Sequence, residues 1–167
     1  MKTACLVGPH DGKFIYFASN RTGAWQVWKH SLESGTEMQL TKNGGFDPQE
    51  SYDGSEVYYS RFYEAGIWKV PAHGGNESRA VEGKPQVGYW GHFAVTRAGL
   101  YFLDAEAEPG PAIEFLNFAT GRNSSVFSFN ERPAGLQPSL SATTDGKTLY
   151  FAQYDQQSVI KMMQFTH

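Results

Sequence analysis

The chain predicts an all-β fold built from repeated four-stranded antiparallel units, and three observations carry that prediction. Tyrosines in matching strand contexts recur at Tyr16 (IYF), Tyr58 (VYY), Tyr101 (LYF) and Tyr150 (LYF), 42, 43 and 49 residues apart. The glycine of an Asp-Gly turn stands four residues before three of them, at Gly12, Gly54 and Gly146. A second landmark follows in each unit at Trp28, Trp68, Glu114 and Ile160, and seven residues after the first three of these comes a turn glycine, Gly35, Gly75 or Gly121. Units of ~40–45 residues with four strands each are β-propeller blades. A β-sandwich, the main alternative, has no reason to repeat that seven-residue offset.

The elements follow in chain order. In the first unit Ala4–Gly8 reads as an inner strand, Phe14–Ser19 as a central one, Trp25–Ser31 as a third and Glu37–Thr41 as a polar outer one. Phe14-Ile15-Tyr16-Phe17 is apolar at consecutive positions, as a strand covered on both faces must be, whereas Glu37 to Thr41 alternates like a half-exposed edge. The second unit gives Pro48–Ser51, Glu56–Arg61, Gly66–Pro71 and Ser78–Glu82. The third gives Gly91–Thr96, Leu100–Asp104, Ala112–Asn117 and Ser125–Phe129, with Ala98-Gly99 in place of the Asp-Gly turn. The fourth offers Ser139–Thr143, Thr148–Gln153 and Ser158–Phe165 and lacks an outer strand. One propeller domain over 1–167 is expected, with blades at about 4–41, 47–82, 91–129 and 138–165 and no helix beyond a turn or two.

Composition sets the bounds. With 167 residues, 40% apolar and 15% aromatic, the chain can bury a sizeable core, and its 18 glycines and 8 prolines are spread as turn markers. A net charge of −3 supplies no basic footprint, so binding of nucleic acid by this chain is not expected. The single cysteine, Cys5, excludes an intrachain disulfide and a multi-cysteine metal site and reads as a small buried apolar residue. No run approaches the ~20 apolar residues of a membrane span. Met1 to Val7 is cut off by Gly8-Pro9, too short for the apolar core of a signal peptide, which leaves a cytoplasmic protein or a piece of a longer exported chain. Histidines 10, 30, 73, 92 and 167 lack the spacing of a metal site, and no nucleophile elbow, phosphate loop, dinucleotide fingerprint or His-Glu-x-x-His occurs. No catalytic residue, metal or cofactor is therefore assigned.

The segments DGKFIYFASNRTG, QVWKHSLESGTEMQLT, PQESYDGSEVYYS and DGKTLYFAQYD resemble the blades of TolB-like propellers, relatives of the WD-repeat proteins, and the resemblance spans nearly the whole chain. Its most specific marks are Asp-Gly-Lys before a Tyr-Phe strand, the Ser19 to Gly23 turn and the Leu40-Thr41 pair. The run from Asp145 also resembles the last blade of propellers that follow winged-helix regulatory or protein-kinase domains in some soil bacteria. The resemblance implies a platform binding a protein or small ligand, a periplasmic location, and six or more blades where four are present here. Hence the expectation of a homodimer closing an eight-bladed ring, or of part of a longer chain.

In a propeller the loops from second to third strand and from outer strand to next blade leave on one face, which gathers Arg21, Tyr63, Glu106, Arg132, Tyr154 and the Trp90 region. Arginines and exposed aromatics dominate binding hot spots. Arg21, Tyr63, Trp90, His92, Arg132 and Tyr154 are therefore the ligand or partner candidates. Trp28 and Trp68, repeated in register, read as core, and Asp104, Glu106 and Glu108 as solvated surface. The function expected is a non-catalytic binding scaffold; the alternative is a metal-dependent enzyme, a lyase or peptidase-associated protein, with Trp90 and His92 at its channel mouth.

Overall fold

The computed structural model describes residues 3–7, 12–130, 140–143, 145–153 and 159–164. Every described element is a strand, and the strands form four antiparallel sheets in two compact units, Met1–Gly83 and Lys84–His167.

The first unit holds two four-stranded sheets, each a meander in chain order. One is β1 (Thr3–Val7), β2 (Phe14–Ser19), β3 (Gln26–Ser31) and β4 (Glu37–Gln39); the other is β5 (Phe46–Glu50), β6 (Glu56–Arg61), β7 (Glu64–Pro71) and β8 (Ser78–Glu82). The consecutive apolar runs do what a doubly covered strand must, since Tyr16, Phe17 and Ala18 are all buried, as are Val57, Tyr58 and Tyr59. Tyr16, Val27 and Leu40 from one sheet meet Val57, Tyr59, Val70 and Ala72 from the other in a shared core. Polar clips fasten its edges. Tyr16 donates its hydroxyl to Glu50 at 2.7 Å, and Lys29 donates to the Ala72 carbonyl at 3.0 Å while its ammonium sits 3.7 Å from the Phe14 ring centroid.

The second unit holds β9 (Phe93–Val95), β10 (Gly99–Asp104), β11 (Ala112–Asn117) and β12 (Asn123–Ser128) in one sheet. Its other sheet is β13 (Leu140–Ala142), β14 (Thr148–Gln153) and β15 (Val159–Gln164), with no fourth strand among the described residues. Leu103, Ile113 and Phe129 pack against Leu140, Leu149 and Phe151, and the Phe129 and Phe151 rings meet edge to face at 5.0 Å.

The Asp-Gly turns have a mechanism. Asp53 accepts from the Ser51 and Ser55 hydroxyls at 2.6 and 2.7 Å and from the Ser55 N–H at 3.1 Å, which holds its pKa down at about 2. Asp145 repeats the arrangement with the Thr143 hydroxyl and the Lys147 N–H. The third blade departs from the expected turn. Gly99 is the first residue of β10, not a turn residue, and a Cβ there would meet the Leu116 carbonyl oxygen at 2.2 Å and the Phe115 ring at 2.4 Å. The glycine serves close approach to the ring of the neighbouring strand, so the Asp-Gly signal was absent because the position has another task.

Candidate functional site

Three connections of the first unit, with the strand ends beside them, converge on an open cleft of about 490 Å³: residues 20–26 up to the first residue of β3, residues 42–46 up to the first residue of β5, and residues 61–64 from the last residue of β6 to the first of β7. Its aromatic side chains form a row in which each ring meets the next. Trp25 and Phe46 are edge to face at 5.7 Å, Phe46 and Phe62 at 5.5 Å, and Phe62 and Tyr63 lie tilted at 5.5 Å. The row ends in solvent, with Tyr63 87% exposed.

Local chemistry fixes the walls. Gln26 is buried, and its side-chain oxygen accepts from the Thr41 hydroxyl at 2.8 Å and the Gly44 N–H at 3.1 Å while its amide nitrogen donates to the Lys42 carbonyl at 3.2 Å. Gly45 lets this connection press onto β3, since a Cβ there would lie 2.7 Å from the Val27 side chain and 2.9 Å from the Thr41 hydroxyl. From the second sheet, Glu77 accepts from the Lys42 N–H at 2.7 Å and the Asn43 N–H at 3.2 Å. It also accepts from Tyr59 and Arg61, both at 2.7 Å. Burial pushes the Glu77 pKa up, but these donors outweigh it and the net displacement is downward.

Arg61 links wall and lip. Its side chain is only 9% exposed, its guanidinium carbon lies 3.3 Å from the Trp68 ring centroid, and beyond Glu77 it reaches Glu64 at 3.2 and 3.4 Å. Arg79 covers the same indole at 4.4 Å. The first sheet repeats the device, because Arg21 lies 4.4 Å from the Trp28 centroid and pairs with Glu37. Arg61, Trp68 and Glu77 each fall forty residues after Arg21, Trp28 and Glu37. Trp28 and Trp68 are half-buried indoles roofed by arginine, Trp68 also packing against the apolar core of the unit, and each indole N–H is buried without a hydrogen-bond partner among the described residues. In the third blade Glu114 replaces the tryptophan, and Lys84 bridges it to Asp104.

Of the six candidates from sequence, Tyr63 lies in the cleft. Arg21 flanks it but spends its guanidinium on Trp28 and Glu37. Trp90 and His92 belong to the second unit. There Trp90 is half-buried and His92 only 1% exposed, its Nδ1 3.2 Å from the Trp90 carbonyl oxygen and its ring edge to face with Tyr89 at 5.4 Å. Arg132 and Tyr154 lie outside the described residues. Sequence reasoning missed Trp25, Phe46, Phe62, Lys42 and Arg61. The available signal was positional, since all five stand at or beside the strand ends of the loop face already singled out. Among the described residues no three His, Cys, Asp or Glu side chains converge, and no helix is long and apolar enough to cross a membrane.

No family model and no curated protein matches the chain. Solved structures do. TolB from Acinetobacter baumannii superposes with a TM-score of 0.74 at 18% identity over 96% of this chain and 40% of its own. A puromycin-hydrolysing peptidase from Mycobacterium tuberculosis gives 0.71 at 16% identity over 98% and 27%. An oligogalacturonate lyase from Vibrio parahaemolyticus gives 0.66 at 18% identity over 87% and 44%. The chain spans less than half the length of each of these three. Enzymes stand among these neighbours beside TolB, so the likeness speaks for architecture and leaves activity to the site. The blades, their strand order and these neighbours together identify the fold of this chain as that of a TolB-like β-propeller.

Proposed function

We propose that this chain is a non-catalytic binding module whose first unit takes a protein segment, presenting an apolar side chain, on the Trp25–Phe46–Phe62–Tyr63 row. The observation that carries the reading is the row itself, four linked rings opening into a cleft of about 490 Å³. Burying an aromatic or branched aliphatic side chain there supplies ~1.5–3 kcal/mol, the scale of a hot-spot anchor. The lining disfavours sugars, because Gln26 is bonded at both ends and the Asn43 amide donates to Glu77, so few polar groups remain to replace hydroxyl hydration.

The enzyme alternative has less support. His92 is enclosed between Tyr89 and the Trp90 carbonyl, and Arg61 and Glu64 at the cleft are bonded to each other, whereas acid–base catalysis requires a group within reach of substrate. An array of immobilised hexapeptides tests the reading. Spots centred on Phe, Tyr, Trp or Leu are expected to capture the chain, and Tyr63→Ala, which removes an exposed ring, to lose those spots at unchanged thermal stability. Capture that is absent, or identical for the variant, overturns it.

A further inference from the structure

The charges at the cleft point past an apolar anchor to what flanks it. Arg61 is a nine-tenths buried cation lining the cleft, and its two carboxylate partners are not held alike. Glu77 is bound at 2.7 Å and further tied by two backbone N–H groups, whereas Glu64 touches Arg61 at 3.2 and 3.4 Å and is 45% exposed. Glu64 also lies 3.5 Å from Arg79, so a second cation is at hand if it leaves Arg61. Lys42, whose backbone N–H binds the other oxygen of Glu77, is exposed and makes no ion pair among the described residues. Two cations thus stand among the lining residues of the cleft, and the one carboxylate among them, Glu64, is weakly held.

We infer that the cleft recognises a carboxylate adjacent to the apolar anchor, with Arg61 and Lys42 as its cationic partners and Glu64 as a built-in stand-in that the incoming group displaces. The inference rests on the proposed protein-segment reading and adds its charge specificity. A guanidinium suits this exchange because its planar fork accepts one carboxylate in place of another without rearrangement. The occupant is an Asp or Glu side chain beside an aromatic or branched aliphatic residue. Lysine at that position meets Lys42 and Arg61 and is rejected.

Fluorescein-labelled hexapeptides with a central Phe followed by Asp, Asn or Lys, read by polarisation, test this with the wild type and the Lys42→Gln and Glu64→Gln variants. The Asp peptide is expected to bind about three- to tenfold tighter than the Asn peptide, with the preference fading between about 50 and about 500 mM salt. Lys42→Gln reduces the preference. Glu64→Gln tightens the Asp peptide severalfold and leaves the Asn peptide unchanged, an outcome a merely structural Glu64 does not produce. Equal binding of all three peptides, or weaker Asp binding by Glu64→Gln, overturns the carboxylate inference while leaving the aromatic cleft standing. No binding of any peptide overturns both.

Discussion

The charged residues with most to lose are those bonded inside the cleft walls. Removing the Arg61 charge leaves Glu77, whose side chain is 6% exposed, without its cation, and breaking one half of a buried pair costs ~3–5 kcal/mol. Arg61→Met is therefore expected to lower unfolding free energy by about 3 kcal/mol in urea titrations, and the Arg61→Met/Glu77→Gln pair to lose less than the two single changes added together. Strict additivity would mean that the pair does not act as a unit. Gly45→Ala and Gly99→Ala test close approach, since both place a Cβ under 3 Å from neighbouring atoms. Overpacking of this kind costs ~1–3 kcal/mol, with Gly99 the worse because one obstacle is the Leu116 carbonyl, which cannot rotate away.

Between elements, Glu77 of the β7–β8 connection binds the β4–β5 connection through backbone N–H groups, so its ionisation state sets how firmly two sheets are clipped. Its folded pKa lies below the ordinary ~4.3 of a glutamate, so the stabilisation is complete above that value and is lost as pH falls through the folded one. The melting temperature is expected to drop as the pH falls below the ordinary glutamate value of ~4.3, and Glu77→Gln, less stable at neutral pH, to show a flatter acid limb. Parallel acid limbs for the two proteins would assign the drop to other carboxylates. The Arg–Trp–Glu device at forty-residue spacing belongs to this scale too. Strand landmarks Tyr16 and Tyr58 are forty-two apart, so the shorter β6–β7 turn moves the capping arginine from a loop position at Arg21 to the last strand position at Arg61 without moving it off the indole.

For the whole molecule, four sheets supply half of an eight-bladed ring, and we propose that a second copy of the chain supplies the other half. Light scattering is expected to report a mass of two chains that falls on dilution; one chain's mass at every concentration argues against the homodimer.

The sequence by itself determined the strands, their meander order and the blade period, because turn glycines and doubly apolar runs are local signals that survive in any tertiary context. It also pointed to the loop face, and Tyr63 stands there. Only the tertiary structure decided which aromatics line a site and which fill space. Trp25, Phe46 and Phe62 come from three separate connections and meet only when two sheets stack. His92 looked reachable on an inner strand, yet Tyr89 and the Trp90 carbonyl enclose it. Trp28 and Trp68 carry core spacing, but an arginine seven residues earlier in each blade roofs the indole. Burial of a side chain depends on what distant segments bring to it, and a repeat fixes only where its backbone runs.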